Sequence, residues 1–79
     1  MIQNEIKEIL TQNLKDCSVD VLDPRQDGVH LEAHIVSSDF EGLSLLARHR
    51  KVMGLLKELF EKRLHALSIK TFTPQEKGI

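Results

Sequence analysis

The sequence predicts a small α/β (α+β) domain in the order α-β-β-α-β, with helices laid on one face of a three-stranded sheet. Three observations carry this expectation. Apolar residues recur at helical spacing near the N-terminus and again from residue 45. Three short runs instead alternate with a period of two. The sequence DPRQDG, rich in turn formers, separates the first two of those runs. At 79 residues the chain is a single domain, 1–79. A domain of this size buries only about 60% of its unfolded surface, which leaves little room for an enclosed active site.

Each element has its own justification. Ile2, Ile6, Ile9 and Leu10, flanked by Leu14, give a first helix over roughly 2–15. Cys17, Val19 and Val21 alternate with Ser18 and Asp20, which makes a strand. Asp23-Pro24 then starts a turn, and Asp27-Gly28 suits a tight bend with positive φ. A second strand follows over roughly 29–37, with Leu31, Ala33 and Ile35 on one face and His30, Glu32, His34 and Val36 on the other. The turn makes these two strands an antiparallel hairpin. In SSDFEGLS, either Ser44 caps the next helix or Asp39 caps a short turn before it. The long helix runs to about 61, with Leu45, His49, Val52, Met53, Leu56, Leu59 and Phe60 on its apolar face. Gly54 lies opposite that face and marks either a weak point or a close contact. A last strand spans about 65–72, with Leu67, Ile69 and Thr71 on one face. It can pair with either hairpin strand. Thr73-Pro74 ends it, and Pro74 suits the first turn of a short terminal helix over PQEK.

Composition narrows the function. The lone cysteine, Cys17, forms no internal disulfide and fits a reducing compartment; its parity makes it a core residue. Glu5, Lys7 and Glu8 interrupt the N-terminal apolar pattern, so it is neither a signal peptide nor a membrane span. The expected location is the cytoplasm, with no membrane partner. With no Trp or Tyr and three Phe, stacking platforms for single-stranded nucleic acid are largely missing. The net charge of −1 hides an asymmetry. Residues 1–47 hold nine acids against three bases, whereas residues 48–63 hold six bases against two acids. That basic helix is either a solvated face or an attractor for phosphates or an acidic partner. Arg48, Arg50, Lys51 and Lys57 are its candidate contacts. They fall on two flanks of the apolar stripe and so form no single tight cluster.

Nothing in the sequence points to catalysis. There is no P-loop, no GxGxxG, no CxxC, no HExxH and no nucleophile signature. Four histidines remain: His30, His34, His49 and His65. His49 sits in the apolar stripe and reads as a packed, hydrogen-bonded core residue. His34 reads as a solvent-facing strand residue. His30 and His65 lie at element edges, where imidazole can reach a metal or a partner. None of the four has a tight metal-ligand spacing.

The order of Ile35-Val36-Ser37, then Phe40 and Gly42, then Arg48-His49-Arg50, then His65-Ala66-Leu67, then Thr73-Pro74 resembles the BolA family over nearly the whole chain. DGVHLEAHIVS looks more like the family's shorter bacterial branch. The resemblance implies a class II KH-like fold and a non-enzymatic role. It implies a monothiol glutaredoxin as partner, sharing a bridged [2Fe–2S] cluster held also by glutathione, with no cluster in the isolated protein. It makes His65 one ligand, at the His-Ala-Leu motif. In several members the second ligand is a loop Cys or His. Here that position is Asp27, and the nearest candidate is His30, where the bacterial branch also carries a histidine. Mixed Cys/His ligation is chemically sound for such a cluster. The family is also described as DNA-binding regulators of stress response or morphology, which makes DNA the alternative partner. KH domains clamp nucleotides with a GXXG loop, whereas this chain has only FEGL near that point. Alone, the protein is expected to be a monomer or a weak dimer.

Overall fold

The computed structural model describes residues 2–64 and 66–78. Its elements are α1 (Ile2–Asn13), β1 (Ser18–Leu22), β2 (His30–Val36), α2 (Leu45–Leu55), α3 (Lys57–Lys62), β3 (Ala66–Phe72) and α4 (Pro74–Lys77), with a 3-10 turn at Ser38–Phe40. The expected α-β-β-α-β order holds, with the long helix divided in two and the short terminal helix added.

The sheet order is β1-β2-β3. β1 and β2 form the expected antiparallel hairpin, with Ser18 opposite Val36 and Leu22 opposite Glu32. The sequence left the partner of β3 open. It runs parallel to β2, with His30 opposite Ala66 and Val36 opposite Phe72. β2 is therefore central, in keeping with its composition: Leu31, Ala33 and Ile35 are all buried. They meet Ile6 and Leu10 of α1, Val19 of β1, Phe40, Val52 of α2, Leu56 and Leu64 in one core. Strand alternation sends Asp20, Glu32, His34 and Lys70 to the opposite face, which carries polar groups.

Three boundaries depart from the sequence reading. α1 stops at Asn13, and the chain then turns through Asp16 at φ 48°. Cys17 precedes β1 and is half-buried beside the core. The long helix breaks at Leu56 (φ −97°, ψ 7°), between α2 and α3. Gly54 lies two residues before this break. A Cβ there would meet nothing within 4 Å, so it marks a weak point and not a close contact.

The caps follow the sequence chemistry. Ser44 caps α2 by accepting the Ala47 N–H at 3.1 Å. Ser37 caps the 3-10 turn, accepting from Asp39 N–H, and its own hydroxyl donates to the Lys15 carbonyl at 2.6 Å. Asp39 thus caps nothing; its carboxylate accepts the Lys15 N–H at 3.0 Å and ties the turn to the end of α1. Thr73 and Glu76 form a reciprocal capping box around Pro74 at the start of α4.

The apolar stripe of α2 is rotated from its expected setting. Arg48, Val52 and Leu56 are the buried positions, whereas His49 is exposed and Leu45 is 72% exposed. The reading of His49 as a core residue is therefore corrected. The cause is a built arginine site. Arg48 Nη1 and Nη2 donate to the two Glu76 carboxylate oxygens at 2.6 and 3.1 Å. Its Nε donates to the Leu43 carbonyl at 3.1 Å, and its guanidinium lies 5.9 Å from the Phe40 ring centroid. A bidentate partner, a carbonyl and an aromatic face together compensate the burial of the charge, and the stem adds packing.

Candidate functional site

The hairpin turn is a preorganised loop made by two aspartates. Asp23 accepts the N–H groups of Asp27 (3.2 Å) and Gly28 (2.8 Å). Asp27 Oδ1 accepts the N–H groups of Val29 (2.9 Å) and His30 (3.0 Å). Gly28 takes φ 69°, the positive value expected for the bend, and Gln26 takes φ 55°. This loop delivers the chain to the first residue of β2, which is His30.

His30 is exposed, and its Nδ1 lies 2.8 Å from Asp27 Oδ2. The hydrogen bonds from the His30 side chain and from the His30 and Val29 backbones hold the Asp27 carboxyl well below the usual carboxylate range. An ionised carboxylate only accepts, so Nδ1 must be the donor. In the neutral imidazole that leaves Nε2 with a free lone pair, the form a metal takes. A carboxylate–histidine pair of this kind fixes ring orientation and tautomer at metal sites. Asp27 was not singled out from sequence as a holder of His30. The Asp-x-x-His spacing within a turn was the available signal.

The other expected ligand, His65, lies outside the described residues. Ala66, which follows it in sequence, is the register partner of His30. Among the described residues, no group of three or more His, Cys, Asp and Glu is arranged to hold a metal ion. His34 is half-buried and not freely solvent-facing: its Nε2 lies 2.8 Å from Glu32 Oε1, and Lys70 Nζ is 3.6 Å from the same oxygen. The bond from His34 is the main cause that holds the Glu32 carboxyl below its usual value, with Lys70 adding to it. The Cys17 thiol is pushed up by burial and by the Asp39 carboxylate, which disfavours the thiolate a metal would need.

The candidate basic contacts divide. Arg50 and Lys51 on α2 and Lys57 on α3 are exposed, and among the described residues none makes an ion pair. Arg48 is different. At 6% exposure, with its guanidinium fully engaged, it is part of the scaffold, and its assignment as a partner or nucleic-acid contact is corrected. Glu76 is the residue the sequence reading overlooked. The capping pattern Thr73-Pro74-Gln75-Glu76 was the signal that this carboxylate is held at a fixed point; its arginine partner lies 28 residues away and is not encoded there.

Comparison with known proteins agrees with this architecture. The family model for BolA-like proteins matches residues 8–76. A BolA-like protein of Dictyostelium discoideum is 36% identical over 83 residues, covering 95% of this chain and 73% of that protein. The acid stress protein IbaG of Escherichia coli is 36% identical over 77 residues, covering 96% of this chain and 88% of that protein. This chain spans less of some other relatives: 31% of a chloroplastic BolA protein of Arabidopsis thaliana and 53% of the UV-induced protein uvi31 of Schizosaccharomyces pombe. A solved BolA homologue from Coxiella burnetii superposes with a TM-score of 0.81 at 35% identity, covering 96% of this chain and 95% of that one. Sequence and fold converge on one conclusion: the chain belongs to the BolA-like protein family.

Proposed function

We propose that this protein is a non-enzymatic adaptor that docks a monothiol glutaredoxin and, through His65 and His30, completes a [2Fe–2S] cluster held also by the glutaredoxin cysteine and glutathione. The observation that carries the reading is the Asp27-held imidazole of His30, exposed at the start of β2 in register with Ala66, the residue after His65. The residues fit the group. Nε2 is available, and hydrogen bonds to Asp23 and Asp27 brace the loop that carries the ring. Replacement of two thiolate ligands by neutral imidazoles raises a cluster's potential, and that is the chemistry such a centre would supply. Asp27 keeps the His30 ring in the ligating tautomer, and the two-aspartate turn keeps the ring at the strand end. The role is iron–sulfur trafficking or sensing. The relatives named for acid stress and UV induction support a place in stress response.

The test is visible absorption and circular dichroism of the protein purified with a monothiol glutaredoxin and glutathione. The wild type should give a cluster spectrum distinct from that of the glutaredoxin alone. His65→Ala should return the spectrum to that of the glutaredoxin, and His30→Ala should perturb it. No change on adding the wild-type protein would refute the adaptor reading.

A second reading, a KH-like DNA-binding transcriptional regulator, is supported by Arg50, Lys51 and Lys57, which are exposed and make no ion pair among the described residues. Three phosphate contacts would give a log affinity against log salt slope of about −3 on duplex DNA. Reversal of all three charges should flatten that slope and leave the cluster spectrum in place. If the reversal changes only glutaredoxin binding, the DNA reading fails.

A further inference from the structure

At the far end of β3 from His30, a cavity of about 350 Å³ opens between the first turns of α2 and the strand edge, lined by Leu45, His49, Ile69, Lys70, Thr71 and Phe72. β3 is an edge strand. The Ser37 N–H donates to the Phe72 carbonyl at 3.0 Å, so Phe72 turns its backbone groups toward β2. Alternation then points the N–H and C=O groups of Ile69 and Thr71 to the open side. Open edges are usually covered or charged, because they template strand addition. Here the groove beside the edge is lined instead by an apolar side chain, Leu45, at 72% exposure.

We infer that this groove is a docking site for an extended, acidic segment of another protein, which adds to β3 as a fourth strand and seats an apolar side chain against Leu45. Charge selects the occupant. Neither wall, α2 (LLARHRKVMGL) nor β3 (ALSIKTF), carries an acid, although the chain has 12. Lys70, whose Nζ also lies 3.6 Å from Glu32 Oε1, lines the groove beside His49, Lys77 sits 4.6 Å over the Phe72 ring, and Arg50 and Lys51 follow on α2. A second copy is disfavoured, since pairing two such edges sets like charges against each other. A nucleic acid would leave the strand edge unpaired and would find Phe72 already covered by Lys77. An extended peptide satisfies the edge, and its carboxylates meet the cations. The inference stands apart from the adaptor reading, because the groove starts three residues along β3 from the His30 register position.

The experiment uses the full chain, isotopically labelled, titrated with a synthetic heptapeptide of alternating valine and glutamate while backbone amides are followed by NMR. The expected result is saturable shifts at Ile69, Thr71, Leu45 and His49, with slowed exchange of the Ile69 and Thr71 amides. Leu45→Glu, at an exposed position, should weaken binding at least about fivefold. Thr71→Pro removes an outward N–H while sparing the β2 ladder, and should abolish binding. Lys70→Glu covers the case in which the proline variant fails to fold, and should also weaken binding. The proposal is overturned by silent amides up to about 1 mM peptide, by equal binding of a valine–lysine peptide, or by indifference to Leu45→Glu. It is equally overturned if self-association or a short DNA duplex perturbs these amides while the peptide does not.

Discussion

His30 is tethered at one ring nitrogen, and the tether makes a direct forecast. In the neutral imidazole, nitrogen-15 NMR of the isolated protein should find the proton on Nδ1. Asp27→Ala should shift the tautomer balance toward Nε2–H and speed exchange of the Val29 and His30 amides, which the same carboxylate holds. An unchanged balance would mean that Asp27 does not orient the ring. Arg48 carries a different forecast. Arg48→Ala removes a buried stem and a bidentate pair, and should cost about 1–3 kcal/mol by thermal or urea unfolding. Arg48→Lys should recover only part, because an ammonium cannot fork. The partner titrates. Glu76 is pushed down to about 2, first by its bond from Arg48 and then by the Thr73 N–H. A carboxyl depressed in the folded state stabilises above its ordinary value, and that stabilisation disappears as pH falls toward the depressed one. The gap in stability between wild type and Glu76→Gln should therefore be full above about pH 5 and shrink toward pH 2. A pH-independent gap would contradict the pair's role.

At the scale of elements, the strands and caps were legible because their signals are local. Alternation at Val19, Val21, Leu31, Ala33 and Ile35 sets the hairpin faces, and Ser44 and Thr73 stand where caps are needed. The setting of α2 was not legible. Periodicity places Leu45 and His49 on the buried side, but a contact 28 residues away, Arg48 with Glu76, turns the helix so that Arg48 faces inward. No local pattern encodes that partner. The pairing of β3 was open for the same reason, since register with β2 is a property of the assembled sheet. The break at Leu56 gives an element-scale test. Gly54 has open space at its Cβ position, and Ala suits a helix better by about 1 kcal/mol. Gly54→Ala should raise the melting temperature by about 4 °C, read by circular dichroism. A loss of stability would show that the break needs the glycine.

Over the whole molecule, the sheet separates the two proposed sites. His30 lies at the start of β2 opposite Ala66, and the Leu45 groove lies at Ile69–Phe72, roughly 16 Å along the strand from Ala66 to Thr71. A glutaredoxin at one end and an extended segment at the other would meet different surfaces, which suits an adaptor. The sequence showed the charge asymmetry between the acidic N-terminal half and the basic α2–α3 region, but not that Arg48 is withdrawn from it into the scaffold. In the proposed complex this chain contributes two imidazoles to a shared cluster. The most direct measurement is pulsed EPR of the reduced complex, with nitrogen-15 histidine incorporated only in this protein. Two directly coordinated imidazole couplings are expected, one lost in His65→Ala and the other in His30→Ala. A cluster with no coupling to labelled histidine would contradict it.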